Sequence, residues 1–194
     1  MAFIYHERQL GGLCGVHCLN NLLQGHHFGP GDLAEIGVQL DQQERMLLEG
    51  GDGGAASSSS SAPAAADGDG GNAPPSSSTG GLEGQAYNCD PSADGGNFSI
   101  QVLTVALQKF ALQLLPAKHP HAQSLMQDPG AATEAFLCQC RDHWFAVRQV
   151  ADCWWNLNST RQRPAMVGPF YLAAWLAQLS AEAGLSFFGL DLNV

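Results

Sequence analysis

Nucleophilic acyl transfer needs a thiol that can ionise, a histidine to take and return its proton, a group to orient that histidine, and a donor for developing oxyanion charge. The sequence offers a candidate for each. Cys14 follows the Gly11-Gly12 pair and opens a helical pattern in which Cys14, Cys18 and Leu22 recur at i, i+4 and i+8, with Leu19 and Leu23 widening the same face. A cysteine at a helix start meets unpaired N–H groups and the positive end of the helix dipole, which favour the thiolate. His143 opens a strand-like run, and Trp144 and Phe145 after it are bulky enough to exclude water. Asn158 closes the run Trp154-Trp155-Asn156-Leu157-Asn158, which two antiparallel neighbours can set beside His143. Gln9, just ahead of the cysteine turn, supplies a side-chain amide donor. Asn156 and Asn158 face the same side of an ideal strand, so alternation alone leaves Asn156 as a second choice for the orienting amide.

These residues need a scaffold, and the pattern predicts one. The first helix starts at Cys14, with Gly25 as its stop. Asp32-Leu33-Ala34-Glu35 after Pro30 reads as a capping box opening a helix to about Glu49, with Leu33, Ile36, Leu40, Leu47 and Leu48 on it. Ser99 caps a helix carrying Ile100, Leu103, Leu107 and Phe110. Leu112 to Leu115 reads as a short strand, and Gln123 to Gln127 as a short helix. Ala135–Cys140, His143–Val150 and Cys153–Asn158 are rich in aromatic and branched residues and read as strands, turning at Arg141-Asp142 and Ala151-Asp152. A helix from Pro169 to about Ala183 and a strand from Leu185 to Leu192 complete the pattern. Helices first and mostly strands afterwards predict an α+β domain with an antiparallel sheet.

Residues 50–81 contain only Gly, Ala, Ser, Pro, Asp, Asn and Thr. Nothing there can bury enough surface to offset ordering, so they read as a flexible, low-complexity insert within a single domain spanning 1–194. Eighteen acidic against eight basic residues, a formal charge of −10 at pH 7, argue against nucleic acid as a partner. No apolar stretch is long enough for a bilayer, and Met1 to Arg8 lacks the apolar core of a signal peptide. The expectation is an intracellular protein of cytoplasm or nucleus with free thiols, and nothing argues for an obligate oligomer. Cys18, Cys89, Cys138, Cys140 and Cys153 read as small buried hydrophobes. Neither Cys14/His17/Cys18 nor Cys138/Cys140/His143 has the paired spacing of a structural zinc site, so no metal or other cofactor is expected.

A cysteine near the N-terminus with His and Asn about 130 to 150 residues later is the order found in papain-like enzymes, although the local Cys-Gly-Ser/Ala-Cys signature is absent. Longer motifs are more specific. Tyr5-His6-Glu7-Arg8-Gln9, Leu13-Cys14, His17-Cys18-Leu19-Asn20-Asn21-Leu22-Leu23-Gln24-Gly25, Ser99-Ile100-Gln101-Val102, Asp142-His143-Trp144-Phe145 and Trp155-Asn156-Leu157-Asn158-Ser159 occur in that order. Together they resemble the Josephin family of cysteine deubiquitinases, nearest its ataxin-type branch. The resemblance implies a papain-like fold and cleavage of isopeptide bonds after the C-terminal glycine of ubiquitin. It also implies Cys14 as nucleophile, His143 as base, Asn158 as orienting amide and Gln9 as oxyanion donor. The helices flanking the insert would form a protruding hairpin bordering the substrate cleft, with the insert at its tip. Ubiquitin and its conjugates would be the partners, touching Phe28, Ile100, Gln101 and Phe110. Phe110 stands where the related branch has Trp, and His27 where it has Tyr; both changes shrink the aromatic contact area. The alternative reading is a ubiquitin-binding module with weak or no turnover.

Overall fold

The computed structural model describes residues 3–50, 88, 97–127, 135–181 and 185–191. Five helices and six strands follow in the order α1 (Cys14–Leu23), α2 (Pro30–Gly50), α3 (Ile100–Gln108), β1 (Gln113–Pro116), α4 (Pro120–Gln127), β2 (Ala135–Cys140), β3 (His143–Val150), β4 (Cys153–Asn156), β5 (Ala165–Val167), α5 (Pro169–Ala181) and β6 (Leu185–Asp191). The strands form one antiparallel sheet in the order β1-β6-β2-β3-β4-β5. The last strand is thus inserted between β1 and β2, completing an α+β architecture of the papain-like type.

Both faces of the sheet are covered. Ala135, Leu137, Trp144 and Ala146 face one way, packing with Val16, Leu19 and Leu22 of α1 and Val102, Leu103 and Leu107 of α3. Their alternates Phe136, Cys138, Phe145 and Val147 face the other way, onto Leu172, Leu176 and Leu179 of α5. Two-sided burial explains why β2 and β3 read as continuous apolar runs without polar alternation. The turns behave as their residues suggest. Ala151 and Asp152 both take positive φ, at 50° and 61°, as a tight two-residue hairpin requires, and Arg141 takes 55°.

α2 and α3 pack together as a helical hairpin. Ser99 caps α3 as predicted, its hydroxyl accepting the Val102 N–H at 3.3 Å. Asn88 clips the two helices: its amide nitrogen donates to Asp41 on α2 at 2.8 Å, and its Oδ1 accepts the Ser99 hydroxyl at 2.7 Å. The residues between, including all of the 50–81 insert except Gly50, lie outside the described residues.

Several expectations need correction. α2 begins at Pro30, and Asp32 is not its cap: Oδ2 of Asp32 reaches back to the Gly29 N–H at 2.6 Å, so it plays the carboxylate's part of a capping box. Leu47 and Leu48 are helical but exposed. α1 ends one residue early, with Gln24 in the left-handed conformation at φ 60°. Gly25 then donates to the Asn20 carbonyl at 3.1 Å, a Schellman closure. The Gln24 side chain offsets the strain of that backbone, because its Oε1 accepts the Tyr5 N–H at 3.0 Å and its Nε2 donates to the Tyr5 carbonyl at 3.2 Å. α4 starts three residues before the expected Gln123, and β5, only three residues long, carried too little pattern to be read. Cys153 is exposed because it leads out of the Ala151-Asp152 turn, whereas Cys18 and Cys138 are buried, Cys140 is half-buried and Cys89 lies outside the described residues.

Candidate active site

The sulfur of Cys14 sits where α1 begins and β3 begins. Its thiol donates to the Asp142 carbonyl at 3.8 Å, and the backbone N–H groups of Trp144, Gly15 and Cys14 itself stabilise its anion. The sulfur is therefore flanked by both chain neighbours of His143. The helix-start donors do not win, however. Burial pushes the Cys14 thiol up, and the charge of Asp142 pushes it further in the same direction. The expected bias toward a standing thiolate is reversed by desolvation, so a base is needed to form the nucleophile.

His143 Nε2 lies 2.9 Å from Asn158 Oδ1. The identity of that acceptor is fixed by its other partners. The Thr160 N–H, which can only donate, reaches the same atom at 3.0 Å, and the Thr160 hydroxyl reaches it at 2.9 Å. An oxygen facing Nε2 puts the ring proton on Nε2 and leaves Nδ1 as the basic nitrogen. Asn158 lies two residues past the end of β4, so strand alternation does not govern its direction. Asn156 has a different part: it accepts the Asn158 N–H on its own Oδ1 at 3.0 Å, ending the strand and turning the chain.

Gln9 is on an extended segment without regular structure, and hydrogen bonds hold it there. Its N–H donates to the Ser159 carbonyl at 2.9 Å, Oε1 accepts the Ser159 hydroxyl at 3.2 Å, and Nε2 donates to the Gly11 carbonyl at 2.7 Å. One Nε2 hydrogen remains for a further acceptor. Gly11 makes this turn with φ +65°, a left-handed conformation that suits glycine.

Two buried asparagines on α1 tie these segments together. Asn21 Oδ1 accepts the Glu7 N–H at 2.5 Å, and Nδ2 donates to the Glu7 carbonyl at 3.2 Å and the Leu157 carbonyl at 3.0 Å. One side chain thus joins the helix of Cys14 to the segments of Gln9 and Asn158. Asn20 Oδ1 accepts the Phe28 N–H at 2.9 Å, and its Nδ2 donates to the Glu7 carboxylate at 3.2 Å. Glu7 also receives the Tyr5 hydroxyl, His17 at 2.7 Å and His26 at 2.9 Å. Burial alone would raise the Glu7 carboxyl, but these donors outweigh it and hold the group at about 2. Motif reading contained Asn20, Asn21 and Ser159 but assigned them no part in the site, and it did not reach Thr160. The available signal was two polar residues set between Leu19 and Leu22 on a helix otherwise buried.

The four positions expected to meet ubiquitin fall into two groups. Ile100, half-buried, and Gln101, exposed, sit at the start of α3. Phe110 lies just beyond its end, about 13 Å along the axis. Phe110 is 40% exposed, while Phe28 is only 4% exposed. Phe110 meets Phe28 and His27 edge-on, with ring centroids 5.6 and 5.1 Å apart. Phe28 is therefore a support beneath that ring.

Comparison with known proteins agrees with the geometry. Residues 9–189 match the family described as Josephin. The chain is 39% identical to ataxin-3 of Gallus gallus and of Homo sapiens, each over 97% of this chain and 45% of the relative. It is 39% identical to the ataxin-3 homolog of Arabidopsis thaliana over 95% of this chain and 58% of that protein. The chain spans about half the length of the curated relatives it matches. With the match extending over nearly its whole length, the chain belongs to the Josephin family.

Proposed function

We propose that the chain is a cysteine isopeptidase that hydrolyses ubiquitin conjugates after the terminal glycine of ubiquitin. The observation that carries this reading is the His143 Nε2–Asn158 Oδ1 contact of 2.9 Å, on a strand whose first residues flank the Cys14 sulfur. In the proposed cycle Nδ1 of His143 takes the Cys14 proton, and the thiolate attacks the glycine carbonyl. The Cys14 N–H and the remaining Nε2 hydrogen of Gln9 hold the oxyanion. His143 then protonates the departing lysine amine as the C–N bond breaks. Water, deprotonated by His143, hydrolyses the thioester and restores the thiol. Asn158 keeps the imidazole in the required tautomer throughout.

The family resemblance supplies ubiquitin as the substrate, and Ile100, Gln101 and Phe110 are its proposed contacts, with Phe28 buttressing Phe110. A second reading is a ubiquitin-binding module of low turnover, favoured by the burial that holds the Cys14 thiol up. An electrophilic ubiquitin probe with a C-terminal vinyl group separates the two. Labelling at Cys14, together with turnover of ubiquitin aminocoumarin amide that Cys14→Ala abolishes, is the expected result. Binding without labelling favours the module, and equal turnover by wild type and Cys14→Ala refutes the hydrolase.

A further inference from the structure

Cations are scarce in this acidic chain, yet four exposed ones among its eight Lys and Arg lie close in sequence to candidate active-site residues. Arg8 adjoins Gln9, Arg141 lies two residues before His143, and Arg161 and Arg163 follow Asn158 by three and five. All four are exposed, and none forms an ion pair among the described residues; the acids next to them in sequence are Glu7, which is taken up by Tyr5, His17, Asn20 and His26, and the exposed Asp142. The chain that leaves Asn158 through the two arginines continues along β5 into α5. There it presents Met166, Phe170 and Tyr171, which are 68%, 95% and 63% exposed.

One member of this apolar group, Tyr171, is also connected to His143 through a row of rings. Tyr171 stacks on Trp175 at 6.2 Å, Trp175 on Phe145 at 6.2 Å, and Phe145 on His143 at 6.3 Å. The ladder belongs to the α5 side of the sheet, opposite the α1 and α3 layer that carries Phe28 and Ile100. An isopeptide has two flanks, and they need separate surfaces. The acyl flank lies with the α3 positions on the reading above. The amine flank must end at the group that protonates the leaving nitrogen, and in that reading the group is His143.

Resting on that hydrolase reading, we infer that Arg161, Arg163, Met166, Phe170 and Tyr171 form the docking surface for the polypeptide on the amine side of the scissile bond. The charge and the exposed rings select a polypeptide with acidic and aliphatic or aromatic residues around the modified lysine. A basic flank is disfavoured by the two arginines. β5 runs away from the His143 end of the sheet and α5 returns toward it, so the surface lies three ring steps of 6.2, 6.2 and 6.3 Å from His143 and meets residues a few positions away from the modified lysine rather than the lysine itself.

The test compares two ubiquitin–peptide isopeptides, one with Asp, Glu and Leu around the linked lysine and one with Lys, Arg and Leu. Each kcat/KM is divided by the same enzyme's value on ubiquitin aminocoumarin amide, which has no acceptor chain. Wild type is expected to favour the acidic peptide by about tenfold at low salt, with the ratio shrinking toward one near 0.5 M salt as screening shortens to a few ångströms. Arg161→Glu/Arg163→Glu brings the ratio to one or below. Phe170→Ser, at a position too exposed to threaten the fold, lowers the normalised rate on both peptides by about fivefold. A wild-type ratio of one, or a ratio unmoved by the arginine reversal, overturns the docking surface while coumarin turnover keeps the hydrolase reading intact. Failure on all three substrates, with no labelling of Cys14, overturns both.

Discussion

Asn21→Ala is the most informative substitution in the molecule. The side chain is fully buried and makes three hydrogen bonds to main-chain groups, two at Glu7 and one at Leu157. Truncation removes all three and fills nothing in return. Leu157 is fully buried, so its carbonyl keeps only what local rearrangement can offer, whereas Glu7 is half-buried and water can reach it. One buried orphan at about 1–3 kcal/mol plus two partly rescued groups gives a loss of about 3 kcal/mol. For a domain of this size that lowers Tm by about 6–12 °C. The functional effect is separable from the stability effect. Asn21 fixes the segments of Gln9 and Asn158 relative to the helix of Cys14, so its loss misplaces the proposed oxyanion donor and the proposed support of His143 together. The expected result is a fall in kcat of about 10- to 100-fold on ubiquitin aminocoumarin amide, with KM little changed, measured well below the variant's Tm. Gln24→Ala is the control: it removes hydrogen bonds to Tyr5 from the same segment, but farther from the site. It should cost about 1 kcal/mol and leave kcat within about twofold. If Asn21→Ala unfolds within about 0.5 kcal/mol of wild type, or if both variants lose the same activity, the tie between the three segments has been misjudged.

Acid stability tests the Glu7 cluster. The folded carboxyl sits at about 2 against an ordinary 4.5, so its contribution is fully present above about 4.5 and lost as pH falls toward 2. Such a shift corresponds to at most about 3 kcal/mol, reduced by solvent screening to about 1–2. Urea titrations from neutral to acid pH should show this loss in wild type and not in Glu7→Gln; parallel curves would refute it. For Cys14, the neighbouring Asp142 charge adds to the burial that holds the thiol up. Asp142→Asn should lower the thiol's pKa and speed iodoacetamide labelling of Cys14 at neutral pH by about two- to fivefold; slower labelling would contradict the sign. Gly11→Ala places a side chain in open space but at φ +65°, so its cost is conformational, about 1–2 kcal/mol. Since Gly11 holds the Gln9 amide, kcat should fall more than probe labelling, and unchanged kcat would remove Gln9 from the proposed oxyanion site.

The parts of the fold carried by periodic apolar residues were legible in the sequence. α1, α3 and β3 begin where the sequence places them because each starts at a residue with its own local reason: Cys14 after two glycines, Ile100 after the Ser99 cap, His143 after a two-residue turn. The sheet order was not legible, because placing β6 between β1 and β2 depends on long-range pairing that no local pattern encodes. At the site, the residue types identified Cys14 and His143, but alternation could not choose between Asn156 and Asn158. The choice depends on where β4 ends, and β4 ends because Asn156 bonds the next segment's backbone with its own side chain. The ionisation of Cys14 was illegible for a similar reason: the helix start is a local feature, whereas the burial that outweighs it comes from the folded core in which Cys14 lies with residues distant in sequence.

The four proposed catalytic groups differ in how they are held, and this predicts which is most easily lost. Cys14 is anchored by a buried helix and His143 by a strand with neighbours on both sides. Asn158 is fixed by a three-residue turn in which its Oδ1 gathers three donors. Gln9 has no helix or strand around it and depends on Ser159, Gly11 and, through Glu7, on Asn21. Side-chain hydrogen bonds of this kind contribute about 1 kcal/mol each and fail one at a time, whereas packed elements fail cooperatively. Weak perturbations should therefore disable the oxyanion donor before the nucleophile. In the proposed cycle this separates capture from turnover: the thiol still reaches an electrophilic probe, while the acyl-transfer barrier rises. Mild denaturant, far below the unfolding midpoint, should lower kcat on the coumarin substrate while vinyl-probe labelling persists. Parallel loss of the two would place Gln9 and Cys14 in one cooperative unit and reverse the order of fragility argued from their supports.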